Sequence, residues 1–166
     1  MKNINAISRA LWISLLIIVL TGCGFHLRGA LPTLTMDNPI YIAGVDKNSD
    51  LYRELARQLR GAKSVITETR SLAKSVLTIS DYRSRERQLT LERQNNRAVE
   101  YELEESFNFS VQTSRTTVEN RPLKVTRTFG RTDTETLARE REEREVRINM
   151  RHDLVNQLMY QLARIN

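Results

Sequence analysis

From Val99 to Val111 the apolar side chains fall on odd positions: Val99, Tyr101, Leu103, Phe107, Phe109 and Val111. Even positions carry Glu100, Glu102, Glu104, Asn108 and Gln112, and Glu105 alone breaks the odd series. Successive strand residues point to opposite faces, so a period of two over this length dictates a long antiparallel strand with one buried and one wet face. Leu123, Val125 and Phe129 follow the same rule, with Thr126 and Thr128 opposite, and predict a further strand after a turn at Asn120-Arg121-Pro122. Upstream, Val76 to Ile79 begins another, with Leu77 and Ile79 on one face. Its continuation, Asp81 to Gln88 and then Leu89-Thr90-Leu91, loses apolar alternation and is expected to project past the core. The Asn-rich Arg93-Gln94-Asn95-Asn96-Arg97 reads as the tip of that hairpin, because Asn tolerates positive φ.

Helical signals flank this set. Pro39 to Gly44 is a short strand closed by glycine. Ser49 or Asp50 then offers an N-cap, Leu51, Leu55 and Leu59 recur every four residues, and Gly61 supplies a C-cap. Thr132 to Glu135 is a cap-rich start to a last helix reaching about Arg164. Its first half is charged, with Glu140/Arg144 and Glu143/Arg147 in the favourable i,i+4 order. Its second half carries Ile148, Val155, Leu158, Met159 and Leu162 as an apolar face. The charged half is expected to overhang the sheet while the second packs on it. The order predicts an α/β fold with two helices packed on one face of a four-stranded mixed β-sheet.

The N-terminal stretch supplies an address. Lys2 and Arg9 precede an apolar run from Ala10 to Leu20, which is shorter than the ~20 residues of a bilayer span and fits a secretory signal. Leu20-Thr21-Gly22-Cys23 matches a bacterial lipobox, and Cys23 is the one cysteine in the chain. The motif predicts S-diacylglycerol transfer to the Cys23 thiol, removal of residues 1–22, and then N-palmitoylation of the new amino terminus. Two or more acyl chains hold a protein to a membrane stably, at ~0.8 kcal/mol per buried methylene. Gly24, where an aspartate retains lipoproteins of this class at the inner membrane, points to the outer membrane, with the domain facing the periplasm. Residues 23–38 read as a lipidated leader and 39–166 as a single domain. Of 166 residues, 144 remain after the signal, enough for one core without staples. Losing Lys2 and Arg9 lowers the formal charge of +6 by two. The surplus would suit nucleic acid, but the periplasmic address excludes it, and phosphate-bearing lipopolysaccharide (LPS) is the polyanion available to bidentate arginine there.

No catalytic constellation emerges. Two histidines, His26 and His152, without a second cysteine do not supply the ligand set of an ordinary zinc site, and His152-Asp153 are helix neighbours that diverge. No glycine-rich phosphate loop precedes a helix. Neither an enzyme nor a cofactor is expected. Glu100, Glu102 and Glu104 read as the wet side of a sheet. Arg83, Arg85 and Arg87, at spacing two, would share a strand face, with Arg93 and Arg97 flanking the tip and Glu86 and Glu92 partly neutralising them. They make a candidate site for a phosphorylated saccharide–lipid, or simply a solvated surface.

These pieces resemble the LPS-assembly lipoprotein family LptE, also called RlpB. The resemblance rests on Cys23-Gly24-Phe25-His26-Leu27-Arg28-Gly29, on Arg97-Ala98-Val99-Glu100-Tyr101-Glu102-Leu103, and on Arg127-Thr128-Phe129 followed by Asp133, Leu137-Ala138-Arg139, Glu142 and Asn156-Gln157-Leu158. It implies two helices on four strands, and a one-to-one complex with the outer-membrane β-barrel LptD, whose lumen the lipoprotein plugs. It also implies LPS binding by basic residues that correspond here to Arg93, with Arg97 as its substitute in a longer hairpin tip, and to Arg139. The rival expectation is an adaptor lipoprotein that binds another envelope protein and never contacts LPS.

Overall fold

The computed structural model of the chain describes residues 34, 36–89, 99–131 and 136–165, without the side chains of 99, 129, 131 and 136–139. The described residues all belong to one compact unit, Leu31–Asn166. Its elements run β1 (Ile40–Ala43), α1 (Asp50–Gly61), β2 (Ile66–Thr67), a 3₁₀ turn (Arg70–Leu72), β3 (Ser75–Gln88), β4 (Val99–Gln112), β5 (Thr117–Arg131) and α2 (Thr136–Leu162). The sheet has five strands in the order β2-β1-β3-β4-β5, rather than the expected four. The additional strand is two residues long, too short for alternation to show, and exists because Ile66 and Thr67 pair in parallel with Ile40 and Tyr41. β1 and β3 are also parallel, whereas β3-β4-β5 is an antiparallel meander.

The helices contact each other and close one core over the sheet. Ile40, Ile42, Leu77, Ile79, Leu103, Phe107, Phe109 and Val111 meet Leu51, Leu55 and Leu59 of α1 and Met150, Leu154, Val155, Leu158, Met159 and Leu162 of α2. Burial of a large aliphatic or aromatic side chain contributes about 1.5–3 kcal/mol, so this stripe accounts for the packing of both helices. The expected apolar face of α2 is therefore revised. Met150 and Leu154 are buried, while Ile148 is 55% exposed. Arg151 already reaches Asp50 at the first turn of α1, so Ile148 stands where α1 offers no further side wall.

Local chemistry sets the ends of α1. Ser49 is the N-cap, its hydroxyl accepting from the Tyr52 amide at 3.1 Å. Gly61 is the last helical residue rather than the cap. Ala62 is the C-cap, Lys63 takes φ 62°, and the Lys63 and Ser64 amides donate to the Arg60 and Leu59 carbonyls. This is a Schellman ending with lysine in the position usually taken by glycine. A left-handed non-glycine residue costs roughly 1–2 kcal/mol, part of which glycine's greater unfolded-state freedom offsets. Lys63→Gly is therefore expected to raise stability by about 1 kcal/mol and the melting temperature by a few degrees, checked by thermal denaturation.

Two left-handed residues lie inside strands. Asp81 (φ 52°) sits where the β3–β4 register shifts between Ser80 and Arg83, and Asn120 (φ 48°) where the β4–β5 register shifts between Phe109 and Val111. The sequence signal at Asn120-Arg121-Pro122 is thus a bulge within β5. The turn itself is Thr113–Thr116, closed by Thr113 N–H donating to Thr116 O at 2.9 Å.

Candidate functional site

The bulge at Asp81 decides which way the arginine row points. Before it, Leu77 and Ile79 stand opposite Val111 and Phe109, and their side chains enter the core. Without a bulge, Arg83, Arg85 and Arg87 would share that parity and point beneath the helices. The extra residue reverses the phase: Arg83, Arg85 and Arg87 stand opposite Ser106, Glu104 and Glu102, on the face no helix covers. The expectation that the three arginines share a face holds, and beyond Ser80 the strand is exposed as expected. The neutralising partners differ. Glu86 falls on the helix side, 3.4 Å from Arg147, whereas Glu102 pairs with Arg87 at 2.9 Å and Glu104 with Lys124 of β5 at 3.4 Å.

The outer face is consequently a charged ladder across three strands. Arg83, Arg85, Arg87 and Lys124 surround Glu102 and Glu104, and Arg83 and Arg85 make no ion pair among the described residues. Two open depressions run along it. Asp81, Arg83, Asn108, Pro122 and Lys124 line one; Arg85, Arg87, Glu102, Glu104, Lys124 and Thr126 line the other. These pairs are exposed enough that each contributes on the order of 0–1 kcal/mol, so the ladder presents charge to a partner more than it stabilises the fold.

Beneath the bulge, on the helix face, lies the residue that broke the alternation. Glu105 is fully buried; Arg151 Nη2 of α2 stands 3.5 Å from its Oε1, and neither carboxylate oxygen makes a hydrogen bond of normal geometry. Burial pushes the Glu105 carboxyl above the usual range, opposed by the charges of Arg151 and Arg147 and by Tyr82. Arg151 also reaches Asp50 at 3.3 Å, and Tyr82, the residue after Asp81, completes the cluster. Arg151 of α2 thus links Glu105 of β4, Tyr82 at the bulge and Asp50 of α1. Sequence reasoning missed this cluster, although the lone acid in an apolar series was its signal. The charged part of α2 does not simply overhang: Arg147 donates to Ser84 at 2.7 Å and approaches Glu86, while Arg127 of β5 pairs with Asp153 at 2.5 Å. His152 Nδ1 lies 2.9 Å from Glu54, fastening the helices to each other.

Of the sequence-predicted site residues, Cys23, Arg93 and Arg97 lie outside the described residues. Arg139 falls in the first turn of α2, but its side chain is outside them too. Among the described residues no helix is long and apolar enough to cross a membrane, and no cluster of His, Cys, Asp and Glu is arranged to hold a metal.

The family model described as LptE, lipopolysaccharide-assembly, matches residues 38–162, the whole of the sheet and both helices. The chain belongs to the LptE family. No curated protein matches it. Solved structures with the same fold include rare lipoprotein B from Shewanella oneidensis, 21% identical over 75% of this chain and 92% of that one, with a TM-score of 0.65. Lipoprotein B from Nitrosomonas europaea is 19% identical over 84% and 90%, with a TM-score of 0.66. A minor lipoprotein from Acinetobacter baumannii is 16% identical over 77% and 92%, at 0.61. This LptE-family chain is an LPS-assembly lipoprotein by family, and its likeness to these structures is one of fold.

Proposed function

We propose that this LptE-family protein is a non-enzymatic lipoprotein anchored in the outer membrane through Cys23. It plugs and aids assembly of the LptD β-barrel in a one-to-one complex and assists LPS transport to the outer leaflet. LPS is bound through basic residues, Arg93 or Arg97 at the hairpin tip and Arg139 at the start of α2. Family membership supports this reading, and the observation that carries it is the uncovered sheet face. A barrel lumen is polar, so a body that fills one needs an internal core and an exterior of charges and hydrogen-bonding groups. The Arg83/Arg85/Arg87 row with Glu102, Glu104 and Lys124 is such an exterior, and it extends to the end of β3 at Gln88. Arginine pairs with phosphate in a bidentate fork, which suits lipid A phosphates otherwise bridged by divalent cations.

Isolation of the full chain from membranes tests the plug. An outer-membrane barrel is expected to co-purify at one to one, and recovery with a different envelope protein, without LPS, would favour the adaptor reading. Cys23→Ala removes the thiol on which lipidation and the ensuing cleavage depend, and is expected to deplete the protein from the outer-membrane fraction, measured by fractionation. Salt-dependent LPS binding is expected to fall at least tenfold in the Arg93→Ala, Arg139→Ala double variant. Unchanged binding there removes those residues from the site and leaves the plug standing.

A further inference from the structure

The two edges of the sheet are unequal. One is β2, two residues long. The other is β5, fifteen residues, with no strand paired to its far side among the described residues. An edge strand presents a row of unpaired amides and carbonyls to any extended chain. Which groups face outward on β5 follows from two observations. The Leu89 amide donates to the Glu100 carbonyl at 2.8 Å, so even residues of β4 turn their backbone groups toward β3 and odd ones toward β5. The β4–β5 register pairs odd with odd, Leu103 with Arg127 and Phe107 with Leu123, so β5 spends its odd groups on the ladder. Pro122 agrees independently: it has no N–H, and its position opposite Asn108 places it in the even, outward set, where an edge tolerates proline. The outward groups are therefore the Pro122 carbonyl and both backbone groups of Lys124, Thr126, Thr128 and Gly130.

The edge is blunted over its first half only. The bulge at Asn120 and Pro122 interrupt Thr117–Pro122, whereas Leu123–Arg131 runs in unbroken register for nine residues, about 30 Å. Charge selects the occupant. Within Leu123–Arg131 β5 carries Lys124, Arg127 and Arg131 and no acid; Lys124 and Arg127 pair with Glu104 and Asp153, yet both side chains stay more than half exposed. Two copies pairing edge to edge would bring these cations together, and like charges across a strand pair oppose pairing. Acidic side chains on an added strand would meet them favourably.

We propose that Leu123–Arg131 is a strand-addition site for an extended acidic segment of a partner polypeptide. Its backbone gives the affinity and the β5 cations give the preference. The proposal goes beyond the plug reading and does not depend on LPS. It is tested on the full chain with a nonapeptide alternating glutamate with threonine and valine, followed by amide hydrogen exchange. At saturation, exchange at Lys124, Thr126, Thr128 and Gly130 is expected to slow at least tenfold. Leu123, Val125 and Arg127, already in the ladder, should not change. The same peptide with lysine for glutamate should give no slowing. Thr126→Pro removes one outward donor and is expected to weaken binding at least tenfold. A second variant, Lys124→Glu with Arg127→Glu, alters only exposed side chains, leaves two acids against Arg131 in the site, and should exchange the preference to the basic peptide. Three results would overturn the proposal: no slowing with the acidic peptide, equal slowing with both, or the same amides already protected in a concentration-dependent dimer.

Discussion

Arg151→Ala is expected to lower the unfolding free energy by about 3–5 kcal/mol at neutral pH, because it strands a fully buried carboxylate. The pH dependence identifies the cause. Burial already raises the Glu105 carboxyl above its ordinary range, and Arg151 is the main charge opposing that rise. Removing the guanidinium raises the folded-state pKa further. An acid whose folded pKa exceeds its unfolded one favours the folded state below the unfolded pKa and loses that contribution as pH rises through the folded one. The deficit should therefore shrink as the pH falls through the variant's raised folded-state pKa, where its Glu105 takes up a proton while the parent's is still ionised. Urea denaturation across pH measures this. The double variant Arg151→Ala, Glu105→Leu removes both charges and should recover most of the loss. A double variant no more stable than the single one would contradict the account.

Gly44→Ala should be comparably severe, for a reason in the backbone. Gly44 follows β1 with φ 79°, and a Cβ there would lie 2.0 Å from the Ile79 carbonyl oxygen. The left-handed conformation alone costs an alanine roughly 1–2 kcal/mol. The contact is with the backbone of the neighbouring parallel strand, which cannot rotate aside, so a total of about 3 kcal/mol or more is expected. Gly130→Ala is the control. A Cβ there meets nothing within 4 Å, and stability should change by less than about 0.5 kcal/mol. Chemical denaturation of both variants against the parent makes the comparison.

Much of the architecture was legible because its signals are local. Val99–Val111 alternates over a whole strand, Leu51, Leu55 and Leu59 mark one helical stripe, and Ser49 caps as its hydroxyl allows. The features that escaped are those whose meaning depends on another element. β2 exists only through its pairing with β1. Lys63, which carries no glycine signal, takes the left-handed cap because the two Schellman hydrogen bonds close around it. Asn120-Arg121-Pro122 announced a turn, but a bulge and a turn favour the same residues, and only the strand beside them shows which one formed.

The charged face divides in the same way. Spacing two already puts Arg83, Arg85 and Arg87 on one side of an unbroken strand. The sequence also carried the family likeness, matched over residues 38–162, because a linear motif is read without folding. That the arginine side is the outer one, opposite Glu102 and Glu104 rather than beneath α2, follows from the fold and not from the spacing. That choice belongs to one inserted residue at Asp81, with Tyr82, Glu105 and Arg151 gathered from three distant segments under it. Side-chain parity is a local property of a strand, but its phase relative to the core is set by a bulge and by what packs against it.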